Sequence, residues 1–396
     1  MPSRNPIDQP LHCAHFGVCG SCSLLDQPIA WQLHDKVAAC EALLAPFLAG
    51  SPLQWEAPRL PQRHFRTKLL YPVRTGPDRR PVVGMFEWRS HRVVAIDECQ
   101  TQDEWLTGLG RAVQPILHEL ELRAFDPGRR RAIVKAIWAR LAGGTGEVLA
   151  GIVTAPGAFA EGAEFAARWQ AAAAALRSRR PRQLVGVVHS VSDRDDDFLL
   201  GDRHSPLLGR DHVVDRRDGL TFRVSAGSFY QVHAGAHELL YRPALALCGD
   251  VRGQTVIDGY GGVGTFGLRL AKAGAARVTI VEDNPAACRD AEHNAKGNTL
   301  PQVRVVRSEF GGANLPAGAD LLVVDPPRAG LGASGQKRAL ALQPRRVLCV
   351  ACDADSLARD LAALTAGGYR LTAARLCDLF PHTEHVELLA LLERTT

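Results

Sequence analysis

Two side chains near the end of the chain have the chemistry needed for covalent catalysis. Cys352 lies between an apolar strand-like run, Arg346–Val350, and a helix-like run. A thiol at a helix N-terminus is exposed and is expected to have a lowered pKa. Glu387 stands at the margin of another apolar run, where it is either a proton acceptor or a solvated or paired carboxylate. Together they suit addition of a thiolate to a ring and later removal of a ring proton.

A glycine-rich turn joins two apolar strands earlier in the chain. The first strand, Thr255–Asp258, runs into Gly259–Gly264, and the second, Val278–Val281, ends at Glu282. Glycines let the backbone approach a ligand closely, and an acid that ends the second strand suits a ribose diol. The match to G-x-G-x-x-G is imperfect, so the turn is either a nucleoside-cofactor site or a plain tight strand–helix connection.

A stiff Asp-Pro-Pro-Arg turn follows the strand-like run Asp320–Val324. Its prolines fix the backbone, and they aim the Asp325 side chain from the carboxyl end of a strand, where open α/β sheets bind ligands. An Asp-Pro-Pro turn placed after a glycine loop is typical of adenosylmethionine-dependent methyltransferases. The sequence therefore predicts a doubly wound α/β sheet in the C-terminal part of the chain.

Three cysteines with interleaved glycines lie near the start of the chain. Cys13, Cys19 and Cys22 form C-x5-C-x2-C, which suits a loop around zinc or an iron–sulfur cluster, and either centre normally takes four ligands. Cys99, just after a strand-like run, is the predicted fourth ligand. Cys40 lies in a helix-like run and is expected to be buried. The spacing does not separate zinc from iron and sulfur.

The bulk composition is that of a globular protein. The 396 residues are 46% hydrophobic and carry a formal charge of +5, and no apolar run reaches the length of a membrane span. The chain has no signal-peptide pattern at its start, so a cytoplasmic location is expected. Arginines cluster at Arg129–Arg131, Arg179–Arg182 and Arg345–Arg346, which indicates either an RNA-binding surface or ordinary solvated arginines.

A further polar group lies in Ser225–His233, where Gln231 follows two aromatic residues. An amide beside aromatic rings can read a nucleobase edge or orient a cofactor, and it can also simply hydrogen-bond a turn.

Taken together, these motifs resemble the RNA 5-methyluridine (uracil-C5) methyltransferases, which act on transfer RNA or 23S ribosomal RNA. Carbon 5 of uracil becomes nucleophilic after a thiolate adds at carbon 6, and its proton must then pass to a base. The resemblance spans nearly the whole chain. It includes the early cysteines, Phe65-Arg66-x-Lys68, Ser228-Phe229-Tyr230-Gln231, Asp258 with its glycine turn, Glu282, Asp325-Pro326-Pro327-Arg328, Cys352 and His385-Val386-Glu387.

The resemblance implies a role for each position. Cys352 is the nucleophile and Glu387 is the base. S-adenosyl-L-methionine, the methyl donor, is bound by Gln231, Tyr260, Glu282 and Asp325. A [4Fe–4S] cluster is bound by Cys13, Cys19, Cys22 and Cys99.

The same resemblance implies three parts. An N-terminal iron–sulfur loop and helix occupy residues 1–55, and a β-rich α+β RNA-binding domain that contributes Cys99 occupies residues 56–234. A Rossmann-like class I methyltransferase domain occupies residues 235–396. A monomer is expected.

The cysteines also narrow the substrate class. Only twelve residues precede Cys13, too few for the N-terminal β-barrel that some relatives carry. A cluster without that barrel is most like the subgroup that methylates 23S ribosomal RNA, and transfer RNA is the alternative.

The sequence departs from the family pattern at three places. His233 replaces an asparagine, Gly261 replaces a cysteine, and Asp353-Ala354 replaces Asn-Pro or Asp-Pro.

Two rival functions are more distant. RNA 5-methylcytosine methyltransferases also use thiolate addition, but they typically carry a cysteine in the proline motif, and Asp325–Arg328 has none. The other rival is an RNA-binding iron–sulfur protein that has lost activity. The intact Cys352, Glu387 and Asp325 argue against it.

Overall fold

The computed structural model describes residues 9–50, 52–56, 62–125, 133–194 and 200–395. The basic run Arg129–Arg131 lies outside these ranges. Within them, no helix combines the length and the apolar character that a membrane span requires.

The described residues form two large sheets and one separate hairpin, with helices packed on the sheets. The helices are α1 (Ile29–Leu48), α2 (Glu104–Arg111), α3 (Val113–Glu119), α4 (Gly162–Ala175), α5 (Arg242–Cys248), α6 (Thr265–Lys272), α7 (Pro285–Gly297), α8 (Gly332–Leu342) and α9 (Ala354–Ala366). The strands up to the hairpin are β1 (Gln54–Trp55), β2 (Lys68–Thr75), β3 (Pro81–Phe86), β4 (Val93–Ala95), β5 (Arg123–Ala124), β6 (Ile133–Leu141), β7 (Glu147–Thr154), β8 (Gln183–Val191), β9 (Arg203–Gly209), β10 (His212–Arg217) and β11 (Leu220–Ser225). The remaining strands are β12 (Thr255–Gly259), β13 (Arg277–Glu282), β14 (Val303–Arg307), β15 (Leu321–Val324), β16 (Arg346–Ala351), β17 (Tyr369–Cys377) and β18 (Glu387–Arg394).

The C-terminal sheet has the strand order β1-β17-β18-β16-β15-β12-β13-β14. Strands β12 to β16 run parallel, and β18 is antiparallel to both of its neighbours. The chain reverses direction across the sheet between β12 and β15, which is the switch point where doubly wound sheets bind ligands. This order confirms the predicted doubly wound α/β sheet.

Both faces of the C-terminal sheet are buried. On β15, Leu322 and Val324 pack into the core formed with α1, α8 and α9, whereas Leu321 and Val323 pack into the core formed with α5 and α6. All four side chains are fully buried. Burial on both faces explains why this strand is a continuous apolar run rather than an alternating one.

The central sheet has the order β4-β3-β2-β6-β7-β8-β9, with β5 beside β6. One face packs against α2, α3 and α4, and the other against the hairpin β10–β11. The stretch Thr107–Glu121 is helix-like in sequence, but the structure has two helices here, α2 and α3, which meet at Ala112. Pro115 lacks a backbone N–H and its ring clashes with the carbonyl of Arg111, so a continuous helix is disfavoured there.

A ladder of polar side chains on α7 holds the edge of β11. Asp290, Asn294 and Asn298 recur every four residues and therefore lie on one face of the helix. Asn294 Oδ1 accepts from Arg223 N at 2.6 Å, and its Nδ2 donates to Arg223 O at 3.1 Å. Asn298 makes the same pair of bonds with the backbone of Thr221. The helix thus takes the place of a neighbouring strand and ties the hairpin to the C-terminal sheet.

Asn294→Ala is expected to lower the free energy of unfolding by about 1–3 kcal/mol, because it leaves buried backbone groups of β11 without partners. Urea unfolding followed by circular dichroism measures this change. Glu292→Ala, on the exposed face of the same helix, is the matched control and should shift stability by less than about 0.5 kcal/mol. Equal effects of the two substitutions would contradict the role of the ladder.

Candidate active site

The predicted nucleophile and base lie at the ends of two adjacent strands. β16 pairs with β18 in antiparallel register as far as Ala351 and Leu388. Cys352 and Glu387 are the next residues beyond that pair, so the fold sets them side by side at the carboxyl end of β16. Glu387 is 2% exposed, whereas Cys352 is half-buried and open to a ligand.

Asp325 completes a group of acids at the same edge of the sheet. It follows β15, which lies between β12 and β16. Burial, with the charge of Asp325 as a second cause, raises the pKa of Glu387 well above its ordinary value. Burial raises the pKa of Asp325 to about 7. Both carboxyls therefore hold protons more tightly than carboxyls in water do.

Asp258, at the end of β12, adds a further buried acid. Its Oδ2 accepts from Gly267 N at 2.7 Å, and its Oδ1 has no hydrogen-bond partner among the described residues. Burial raises the pKa of Asp258 to about 7. A cationic ligand beside these acids would therefore be stabilised by their carboxylates.

The environment of Cys352 corrects one prediction. Its place before α9 predicts a lowered pKa, but burial raises the pKa of this thiol, and the charges of Glu387 and Asp325 raise it further. The N-terminus of α9 is instead capped by Asp353, whose side chain accepts from Ser356 N at 2.9 Å. Desolvation and two nearby acids thus outweigh the helix dipole.

The pH dependence of Cys352 alkylation should shift when Glu387 is neutralised. A nearby negative charge disfavours the thiolate, so Glu387→Gln should lower the pKa of Cys352 and move the midpoint of its alkylation to lower pH. Iodoacetamide labelling of the peptide that contains Cys352, followed by mass spectrometry across a pH series, measures the midpoint. Asp355→Asn removes an exposed charge from α9 and is the control. An unchanged or raised midpoint in Glu387→Gln would contradict the coupling.

The glycine turn after β12 is held by Glu282. The two carboxylate oxygens of Glu282 accept from Gly262 N and Asn284 N, each at 2.8 Å. Tyr260 adopts a φ of +61°, and its half-buried ring lies 5.4 Å from the Phe310 ring. Left-handed backbone at a non-glycine residue is strained and occurs often at ligand-binding turns. Glu282 and Tyr260 therefore border the same turn, as the sequence predicts.

Gln231 belongs to a segment that is held by the residue before β2 and by helix α7. Val232 O accepts from Thr67 N at 2.7 Å, and Ser228 Oγ donates to Asp290 at 2.6 Å. Gln231 lines a small cavity with Tyr241 and Arg269. The sequence pattern gave no signal for Tyr241, which lies close enough to Asp325 and Glu387 for their charges to contribute to its raised pKa, although burial is the largest cause. Tyr241 thus links this cavity to the cluster of acids.

The loop that leads to Glu387 is held by the N-terminal helix. Lys36 Nζ donates to Asp378 Oδ1 at 2.8 Å and to Phe380 O at 3.0 Å, and both charged side chains are almost completely buried. Gln32 Oε1 accepts from His382 N at 2.8 Å. The sequence predicted none of these contacts, because they join residues far apart in the chain.

The four cysteines that were predicted to bind a cluster are half-buried and line one cavity. They are Cys13, Cys19, Cys22 and Cys99. Their loop is fixed to β3 because Gly20 N donates to Phe86 O at 2.9 Å. Among the described residues, however, no three His, Cys, Asp or Glu side chains are arranged to hold a metal ion. The prediction that Cys40 is buried is confirmed, since it is 2% exposed, and Cys349 of β16 is also buried at 3% exposed.

Comparison with known proteins identifies the family. A family model described as tRNA (uracil-5-)-methyltransferase matches residues 318–395, which contain Asp325, Cys352 and Glu387. An RNA methyltransferase of Halalkalibacterium halodurans is 31% identical over 96% of this chain and 82% of the relative. The chain belongs to the RNA uracil-5 methyltransferase family. An RNA methyltransferase of Listeria monocytogenes is 30% identical over 98% of this chain and 84% of the relative.

A solved structure shares the fold of this family member. The crystal structure of Pyrococcus abyssi tRNA (uracil-54, C5)-methyltransferase in complex with S-adenosyl-L-homocysteine covers 94% of this chain and 85% of its own, with a TM-score of 0.74 and 24% sequence identity. The likeness confirms the predicted Rossmann-like sheet. The sequence relatives make the protein an RNA methyltransferase of the uracil-5 family.

Proposed function

We propose that this RNA methyltransferase transfers a methyl group to carbon 5 of a uridine, with Cys352 as nucleophile and Glu387 as base. The observation that carries the proposal is the pairing of β16 with β18, which places these two side chains next to each other beyond Ala351 and Leu388. Methylation of uracil at carbon 5 needs a thiol and a proton acceptor of the protein that both reach the same uracil ring.

The proposed reaction balances as one addition, one methyl transfer and one elimination. The thiolate of Cys352 forms a bond to carbon 6 of uracil, and the electron pair of the 5,6 double bond moves to give an enolate. Carbon 5 then forms a bond to the methyl group of the donor, whose carbon–sulfur bond would break with its electron pair staying on sulfur, so that a neutral thioether would leave. Glu387, as carboxylate, removes the remaining proton from carbon 5, the double bond re-forms, and the thiolate leaves carbon 6.

The methyl donor would be held by residues around the glycine turn and at the end of β15. When bound, S-adenosyl-L-methionine supplies an electrophilic methyl group on a cationic sulfur. Glu282 keeps lone pairs free for hydroxyl donors in addition to the two backbone groups that it already accepts from. The other residues proposed to bind the methyl donor are Asp325, Gln231 and Tyr260. The acids Asp258, Asp325 and Glu387 suit a cationic ligand, because its charge offsets the cost of their ionisation.

We propose that the four cysteines hold a [4Fe–4S] cluster. Four thiol groups around one cavity match the donor set of such a cluster, and the cluster is wider than a single ion. The absence of a single-ion arrangement among the described residues is compatible with this larger centre. Iron and acid-labile sulfide analysis of protein purified without oxygen tests the proposal, and zinc in place of iron would contradict it.

We propose 23S ribosomal RNA as the substrate, with transfer RNA as the equal alternative. The cysteine set favours ribosomal RNA. The matching family model is named for transfer RNA, and so is the solved relative. An RNA 5-methylcytosine activity is disfavoured because Asp325–Arg328 carries no cysteine.

A covalent-trapping experiment tests both the chemistry and the substrate. RNA in which 5-fluorouridine replaces uridine cannot lose a proton from carbon 5, so the adduct with Cys352 should persist on a denaturing gel with adenosylmethionine present. Wild-type protein should shift with 23S fragments or with transfer RNA, and Cys352→Ala should not shift. A shift with transfer RNA alone would select the alternative substrate. No shift with either RNA, or a nucleoside analysis that finds only methylcytosine, would overturn the proposed function.

A further inference from the structure

One cleft among the described residues is lined by arginines. It is bordered by the loop that follows α4, by residues 63–67 just before β2 and by the segment 233–238, and its volume is about 760 Å³. We call it the arginine cleft, and its arginines are Arg63, Arg177, Arg179, Arg180, Arg182 and Arg217. Nothing in the reaction proposed above uses these side chains.

Most of the positive charge in the cleft is uncompensated. Two of the arginines are paired, since Arg182 lies 3.0 Å from Asp103 and Arg217 lies 3.6 Å from Asp215. No carboxylate of the described residues lies within ion-pair distance of the other four, which are Arg63, Arg177, Arg179 and Arg180. These four side chains are exposed. A concave surface lined by unpaired cations concentrates positive potential.

Three acids, Asp103, Glu104 and Glu238, line the cleft together with its six arginines, so a net positive charge remains. Asp103 accepts from the backbone N–H groups of Trp105 and Leu106 and so caps α2, in addition to its pair with Arg182. Glu104 lies 3.5 Å from His64. Both carboxylates therefore already have partners, and the exposed arginines remain available for an anion.

The inner end of the cleft adjoins the candidate active site. Its wall includes His233 and Ala234, which also line the small cavity that contains Gln231. The Phe65 ring stacks on His233 at 4.6 Å and faces His382 at 6.5 Å. His382 belongs to the loop that leads into Glu387. An extended polyanion in the cleft would therefore approach the group of catalytic side chains.

We propose that the arginine cleft binds the phosphate backbone of the RNA strand that carries the target base. The inference rests on the proposed function, because an enzyme that adds a thiolate to a base must receive that base out of its stack, on a locally single-stranded segment. Arginine suits this task because its planar guanidinium donates to phosphate oxygens in a bidentate way. Phosphate contacts of this kind position the strand and do not read its sequence.

Salt dependence gives the sharpest test. Each neutralised phosphate of a single strand contributes about −0.7 to the slope of log K against log salt. The triple variant Arg177→Gln/Arg179→Gln/Arg180→Gln should therefore reduce the magnitude of that slope by about 2 and weaken binding on the order of tenfold or more. Fluorescence anisotropy with a short fluorescein-labelled single-stranded RNA, from about 50 to 200 mM KCl, measures both quantities.

A matched control removes the same charge from another face. Arg252, Arg345 and Arg370 are exposed at the amino ends of the C-terminal strands, opposite the candidate active site. The variant Arg252→Gln/Arg345→Gln/Arg370→Gln should keep the wild-type slope. Equal losses in the two triple variants would show a general effect of net charge and would overturn the proposal.

The binding and adduct experiments together distinguish a failure of the cleft proposal from a failure of the proposed function. If the cleft variant binds RNA like wild type while wild type forms the fluorouridine adduct, the proposal that the cleft binds RNA is rejected and the proposed reaction is retained. A reduced salt slope in the cleft variant, with no adduct in wild type, would support RNA binding in the cleft and reject the reaction.

Discussion

Glu387→Gln is expected to leave the enzyme covalently attached to ordinary uridine-containing RNA. Cys352 can still add to the ring and carbon 5 can still take the methyl group, but no carboxylate remains to remove the proton from carbon 5. A positioned general base contributes roughly 10²–10⁴-fold in rate, so turnover should fall by that range. A denaturing gel with unmodified RNA and adenosylmethionine detects the adduct, and release of methylated RNA measures turnover.

The control for this prediction lies in the same loop. Glu384 is exposed, and Glu384→Gln should retain turnover and show no adduct. Normal turnover in Glu387→Gln would assign the proton transfer to another group, of which Asp325 is the nearest candidate. Loss of both adduct and turnover in Glu387→Gln, in a protein that unfolds at the wild-type urea concentration, would instead show that Glu387 is needed before the thiolate adds.

Lys36→Met is expected to destabilise the protein strongly. It would leave Asp378 buried without its cation, and breaking a buried ion pair in this way costs about 3–5 kcal/mol. Urea unfolding measures the loss. Methyl transfer should also fall in the folded variant, because Asp378 and Phe380 belong to the loop that leads into Glu387.

A double variant separates the charge effect from the packing effect. Lys36→Met/Asp378→Leu removes both charges, and apolar replacement of a buried ion pair is often neutral or stabilising. The Oδ2 atom of Asp378 has no hydrogen-bond partner among the described residues, so its removal leaves few bonds unmade. We therefore expect the double variant to be more stable than Lys36→Met. Equal instability of the two would show that Lys36 acts by packing.

Local sequence was sufficient to predict the strands of the C-terminal sheet. The strands around Val256, Ile280 and Val323 are short apolar runs that end in glycine or acid, and the structure buries them as predicted. Such strands are recognisable because burial on both faces requires apolar residues at every position. The turn Asp218–Gly219 of the hairpin shows equally local control, since both residues adopt positive φ.

Local sequence was misleading where distant groups set the environment. The position of Cys352 before α9 favoured a lowered pKa, but burial together with Glu387 and Asp325 raises it. Those two acids are brought to the thiol by strand pairing across the sheet. Their effect depends on separation and solvent exposure, and neither quantity is encoded within a short window of sequence.

Residue types alone thus determined the chemical groups of this protein: a thiol, a set of acids, a glycine turn and a set of cysteines. Tertiary structure determined which of these groups lie next to one another. It set Glu387 beside Cys352 through the β16–β18 register and tied the loop before Glu387 to Lys36 of α1. It also gathered the exposed arginines after α4 into a cleft that adjoins the small cavity lined by Gln231. The physical reason is that motif residues are specified one at a time, whereas pKa values, ion pairs and clefts arise only from chain segments that meet on folding.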